Sequence, residues 1–237
     1  MRKFFWAALA VAMVSTAAHA QPPAQAPAQD AADPTVFIIS YIEATYAGKN
    51  QVATQLKQLR DASAKDNGLI RYEVLQRISP ANQFMALEIW KDQAAFDAHA
   101  ASAQRKTFRE KAAPLLLAPI DDRQGVTVSV DPMQAAKARA TGNAIYVVSH
   151  VDVAPPNREK IIPALKALAE ASRKDAGNLR FDVAFQKNRT NHFKVIETWK
   201  DQKANEAHEI AAYAKEFRNT LTPLTGAMYD QRWYKPL

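Results

Sequence analysis

Cysteine is absent from the 237-residue chain, which excludes disulfides, thiolate metal sites, iron–sulfur clusters and a thiol nucleophile. Glycine is scarce, at 6 residues, so collagen-like and glycine-rich low-complexity architectures are excluded and no glycine-rich phosphate loop is available. Neither sign of charge dominates: 31 Lys and Arg stand against 24 Asp and Glu, a formal +7. The basic residues, such as Lys57, Lys106 and Arg109 with their counterparts Lys166, Lys215 and Arg218, are spread along helical stretches as solvated faces. Without a basic stripe or a stacked aromatic platform, a nucleic-acid partner is not expected. No His-x-x-x-His pattern and no His/carboxylate spacing points to a metal. What remains is ordinary globular usage, 48% hydrophobic and 23% charged.

Residues 1–20 read as a signal peptide. Arg2 and Lys3 precede an apolar run from Phe4 to Val14, and Ala18-His19-Ala20 has the small-x-small form of a cleavage site. The run is too short to span a bilayer as a stable helix, and no other segment approaches that length. A mature chain starting at Gln21, periplasmic or secreted and free of the membrane, is the expectation. Residues 21–34, rich in Pro, Ala and Gln, carry too little apolar surface to order themselves.

The rest is one unit written twice. Shifted by 109 residues, the chain aligns with itself without a gap, and about a third of the aligned positions are identical. Glu88-Ile89-Trp90-Lys91-Asp92-Gln93 falls on Glu197-Thr198-Trp199-Lys200-Asp201-Gln202, and His99 falls on His208. Two domains follow, 35–131 and 144–237, joined by a linker at 132–143 whose Asp-Pro start and Gly142 suggest a short helix.

Each copy predicts a β-branched strand (Val36 to Ala44; Ile145 to Val153), then a helix (Lys49 to Asp66; Arg158 to Asp175). Gly68 and Gly177 follow where positive φ is needed. Next come a hairpin ending at Trp90 or Trp199 and a second helix capped by Asp92 or Asp201. The last strands run from Gly125 to Val130 and from Met228 to Tyr234. The order β-α-β-β-α-β is the ferredoxin-like pattern of the α+β class, with two helices on one face of a four-stranded sheet. The other face needs cover, so the two copies are expected to pack sheet to sheet as an intrachain pseudo-dimer, with Phe84 and Phe193 shielded between them. Further oligomerisation is left open.

With its strand ending in Glu-x-Trp, its Asp-started helix, a His nine residues after the Trp and a later Phe, each copy resembles the antibiotic biosynthesis monooxygenase (ABM) domain. The resemblance covers residues 35 to 237 and implies a dimeric α/β barrel. It also implies a monooxygenase, an oxidoreductase that oxidises a quinol or other electron-rich aromatic with O2 and needs no cofactor. A non-catalytic periplasmic binding protein for a small aromatic ligand is the alternative. The family's haem-degrading branch has an Asn on the first strand and a Trp and a His on the second helix. Here those places hold Ser40-Tyr41 or Ser149-His150, His99 or His208, and Arg109 or Arg218, so haem oxygenation is not expected.

His99 and His208 are the acid–base candidates, and His150 adds an imidazole to the second copy that is expected to share a pocket with His208. Trp90, Trp199 and Tyr41 are candidate substrate contacts. Arg71 and Arg180 can hold a phenolate, or pair with Glu88 and Glu197 across the hairpin inside the inter-sheet layer. His192 is assigned to an exposed hairpin turn.

Overall fold

A computed structural model describes residues 34–131, 140 and 142–237. The expectations for a signal peptide, for the leader through residue 33 and for a linker helix lie outside the described residues. The first copy runs β1 (Val36–Glu43), α1 (Lys49–Ser63), β2 (Leu69–Arg77), β3 (Gln83–Trp90), α2 (Gln93–Ala100), α3 (Ala103–Ala112) and β4 (Asp121–Ser129). The second repeats this order as β5 (Ile145–Asp152), α4 (Arg158–Ser172), β6 (Asn178–Gln186), β7 (Arg189–Trp199), α5 (Gln202–Glu209), α6 (Ala212–Leu221) and β8 (Asp230–Pro236).

Local chemistry sets these limits. Asp92 and Asp201 accept the backbone N–H groups of Ala95 and Ala204 at 2.8 Å, starting α2 and α5. The expected single second helix is two in each copy. Ser102 breaks the run and caps α3, whereas Ala211 at the same place has no side-chain cap to offer. Gly68 and Gly177 sit at φ +83° and +92°, where a Cβ would also come within 3 Å of the following Lys and Ala side chains.

The two sheets do more than face each other. β2 pairs with β8 and β4 with β6, both antiparallel, so the strands close into one eight-stranded barrel in the order β1-β3-β2-β8-β5-β7-β6-β4. Eight strands leave an interior that side chains can fill. Phe37, Ile39, Leu75, Met85, Leu87, Ile89, Tyr146, Val148, Ile196 and Tyr234 fill it. Phe84 and Phe193 are buried as expected, but on the outer face, under the helices. A separate core lies there in each copy.

A one-residue irregularity in each hairpin decides which charges enter the barrel. The β2–β3 register jumps between Leu69 and Arg71, and the β6–β7 register between Asn178 and Arg180. Ile70 and Leu179, the skipped residues, are exposed. Because side chains alternate in a strand, the extra residue turns the following ones onto the opposite face. Arg71 therefore stands opposite Ile89, not Glu88, and points into the barrel with Glu73, as Arg180 does with Asp182. The expected Arg71–Glu88 and Arg180–Glu197 pairs do not form.

Candidate active site

Between sheet and helices, each copy builds the same array. In the second, Trp199 Nε1 donates to Glu197 Oε2 at 2.9 Å, and the His208 ring stacks on the indole with centroids 4.7 Å apart. His208 Nδ1 lies 2.8 Å from the Tyr213 hydroxyl, which itself donates to Asp175. The phenol proton is thus committed to Asp175, so Nδ1 carries the imidazole proton. The lone pair of Nε2 faces Glu197 Oε2 at 3.6 Å. In the first copy Trp90 donates to Glu88 at 2.9 Å, His99 stacks on Trp90 at 4.7 Å, and Asp66 holds Nδ1 directly at 2.8 Å.

The copies part at one position. Arg105 donates to Glu88 at 2.9 Å and to Asp122 at 3.2 Å, so the first carboxylate has a buried counter-charge. Its equivalent, 109 residues on, is Ala214. Glu197 is left without an ion-paired guanidinium, and burial pushes its carboxyl up to about 8. It is a neutral acid at pH 7. Burial also holds His208 below its ordinary range, and hence uncharged. Glu209, where the first copy has Ala100, accepts from Arg218 at 3.2 Å and from Gln231 at 2.9 Å.

Access differs too. The first copy encloses a cavity of about 10 Å³ beside Glu88, Arg105 and Asp122, room for roughly one water. The second borders a groove of about 630 Å³ walled by Ile78, Ile145, Ile210 and Trp233, with Glu209 and Gln231 among its lining residues.

Not every candidate lies where the sequence suggested. Trp90 and Trp199 are wholly buried beneath the imidazoles and line neither of these spaces. His99 and His208 are buried, and neither lines either of these cavities. Arg71 and Arg180 are engaged inside the barrel: Arg71 donates to Glu73 at 2.7 Å, and Arg180 to Glu73 at 2.9 Å and to Asp182. Tyr41 and His150 also point inward, their Oη and Nε2 3.2 Å apart. Alternation along β5 gives Ser149 to the helix side and His150 to the barrel, so His150 cannot share a pocket with His208. His192 is not in a turn. β7 begins at Arg189, and the His192 ring is buried against Asp152 and Lys194.

These copies match the family model for antibiotic biosynthesis monooxygenase at residues 35–111 and 144–220. The chain belongs to this family. YcnE of Bacillus subtilis (strain 168), a provisionally assigned monooxygenase, is 28% identical over 86 residues, which are 36% of this chain and 90% of that protein. The whole two-copy fold is similar to that of a provisionally assigned monooxygenase of Fusobacterium nucleatum subsp. nucleatum (TM-score 0.77, 15% identity, 86% of this chain and 92% of that one). A similar assignment from Lactobacillus acidophilus follows (TM-score 0.72, 14% identity, 86% and 94%). An anthrone oxidase-like protein has the fold at TM-score 0.64 and 13% identity, over 86% of this chain and 92% of that one. At these identities the structures speak for the fold alone.

Glu197, His208 and Glu209 bring donor atoms within 4.8 Å of one another, a spacing that sequence inspection did not reveal. The carboxylates already accept from Trp199, Arg218 and Gln231, and a guanidinium stands where a metal's charge would. The set fits a protonic site better than a metal centre.

The buried acid has a measurable consequence. Between its ordinary 4.5 and about 8, the unfolded chain releases a proton that folded Glu197 keeps, so stability falls as pH rises through that window. Glu197→Gln is expected to remove this fall. Its gain over the parent should grow by a few kcal/mol across the window, each pKa unit being about 1.36 kcal/mol. Urea midpoints of the two proteins that stay parallel with pH would refute the uncompensated acid.

Proposed function

We propose that this ABM-family chain is an exported monooxygenase that oxidises a quinol or other electron-rich aromatic with O2, without a cofactor, and that the second copy performs the chemistry. The observation that carries this is Ala214 in place of Arg105. It leaves a neutral acid, Glu197, and a neutral imidazole, His208, side by side in a buried site, next to Glu209 on the groove.

The groove's Trp233 and Ile210 offer apolar cover to a planar ring, and its hydroxyl would meet Glu209. The reaction needs a phenolate, since the anion can pass one electron to O2 where the phenol cannot. Through Glu209, whose carboxylate belongs to the same cluster, His208 Nε2 is the final acceptor for that proton, and general-base assistance of this kind is worth about 10²- to 10⁴-fold. Arg218 and Gln231 would hold the anion. Recombination of the aryloxyl radical with the reduced oxygen forms the C–O bond. Loss of water then leaves a hydroxyquinone, so one hydroquinone and one O2 give one hydroxyquinone and one H2O.

Binding of an aromatic without turnover is the second reading, favoured by the enclosure of His208, which is 4% exposed. Oxygen consumption by the mature, metal-stripped chain against a panel of hydroquinones and naphthols separates the two. The proposal expects stoichiometric O2 uptake with at least one member. Saturable binding without uptake across the panel supports the second reading instead.

A further inference from the structure

The barrel interior ends, on the side where β1 and β5 finish, in a cluster with no place in the chemistry above. Lys194 is 3% exposed and is in no ion pair among the described residues. Its Nζ is held instead between two imidazoles, 2.5 Å from His150 Nδ1 and 2.5 Å from His192 Nε2. His192 Nδ1 faces Asp152 at 3.2 Å, so its Nε2 is the acceptor for a proton from Nζ. Burial holds the Tyr41 phenol protonated, and it can donate to His150 Nε2. His150 Nδ1–H then points at the lone pair of an uncharged amine. The first copy has none of this: the equivalents of His150, His192 and Lys194 are Tyr41, Gln83 and Met85.

Cations surround the amine. The guanidinium groups of Arg123 and Arg232 lie 4.9 and 5.9 Å from the centroid of the Tyr41 ring, and Lys194 Nζ lies 5.8 Å from it. Asp121 and Asp230 each pair with one of the two arginines, and Arg189 stands on Asp152. A cavity of about 190 Å³ opens at this mouth, lined in part by Tyr41, Asp121, Arg232 and Tyr234. A buried lysine that lacks a carboxylate, is flanked by proton carriers and stands near two arginines is equipped for carbonyl chemistry.

We propose that Lys194 is a reactive amine that condenses with the carbonyl carbon of a small 2-oxo carboxylate, whose acid group is bound by Arg232 and Arg123. The Nζ lone pair attacks the carbonyl carbon to give a carbinolamine. The nitrogen sheds a proton to His192 Nε2, and that imidazolium returns it to the departing hydroxyl, so both histidines end neutral, as they began. One amine and one oxo acid thus give one imine and one water, with no oxidation or reduction.

Desolvation and the two arginines lower the Lys194 ammonium to about 6. At pH 7 an ordinary lysine near 10.4 is uncharged in only roughly one molecule in 2,500. The test is to incubate the mature wild-type chain at neutral pH with glyoxylate and cyanoborohydride, which fixes the imine as a carboxymethyl amine, and to map the modified lysines by mass spectrometry. Lys194 is expected to be labelled at least about 10-fold faster than any other lysine, an advantage lost as pH falls below about 6 and the amine takes up a proton. Propionaldehyde, which lacks the carboxylate, should label it several-fold less, and Arg232→Ala should narrow that difference. Lys194→Arg removes the fast site and leaves background. Labelling spread over surface lysines with Lys194 spared overturns the proposal. Equal labelling by the neutral aldehyde overturns its choice of oxo acids. Lys194 and His208 lie on opposite faces of the sheet, so this result does not depend on oxygen chemistry.

Discussion

Replacing His208 by alanine is expected to lower turnover of a quinol by about 10²- to 10⁴-fold, whereas His99→Ala leaves it within about 3-fold. Both imidazoles have a fixed tautomer, a Trp beneath them and a Glu beside Nε2, so stacking and burial do not distinguish them. What differs is the charge and the opening. Arg105 occupies the space beside Glu88 and seals it down to about 10 Å³, while the second array meets a groove of about 630 Å³ at Glu209. The loss in His208→Ala should fall on kcat, because the proton is taken in the reacting complex. Ala214→Arg is a second route to the same outcome. It restores the guanidinium of the first copy and should silence the second without deleting a reacting group. Equal losses on replacing either histidine would assign equal work to the copies and remove the role given to Ala214.

Arg180→Met is expected to cost about 3–5 kcal/mol of stability, the penalty for leaving buried partners without their charge. For a folded body of this size, that is a fall in Tm of about 10 °C. Arg180 is fully buried, bridges Glu73 of the first copy and Asp182 of the second, and lies over the Phe37 ring at 5.6 Å. Arg71 and the Tyr146 hydroxyl, at 2.7 and 2.6 Å, complete the ring of donors on Glu73. These donors hold the Glu73 carboxyl below its ordinary 4.5 despite its burial. A lowered folded pKa contributes stability that is present above 4.5 and is lost as pH falls through the folded value. The gap between Arg180→Met and wild type should therefore narrow below pH 4.5, where protonation relieves the Glu73 carboxylate. Urea denaturation at neutral and acid pH tests both parts. A loss under about 1 kcal/mol at neutral pH would mark the bridge as dispensable.

The elements were legible because their signals are local. Asp92 and Asp201 announced helix starts, Gly68 and Gly177 announced positive φ, and β-branched runs announced β1 and β5. The faces of β2 and β6 were not legible. One skipped residue, Ile70 or Leu179, inverts every later side chain, and nothing in a hydrophobic strand marks it. The seams β2–β8 and β4–β6 join strands far apart in sequence, which local patterns do not encode. The cluster at Lys194 was invisible for the same reason: His150, His192 and Lys194 meet only once β5 and β7 are in register. The site's decisive asymmetry was legible in the repeat, however. The self-alignment that set His99 on His208 also set Arg105 on Ala214 and Ala100 on Glu209.

Closing the barrel within one chain changes what heredity can do with it. In an assembly of two identical subunits every substitution is written twice, so a site cannot shed a stabilising ion pair without shedding it on both sides. Here the two halves are inherited as separate stretches of one message. Arg105 can go on bracing Glu88 while its counterpart shrinks to Ala214, and Tyr41 can face a histidine across the barrel that it could never face in a copy of itself. The tandem chain is thus free to divide labour, with one half keeping the scaffold rigid while the other takes on chemistry that a symmetric pair would have to adopt at both sites at once.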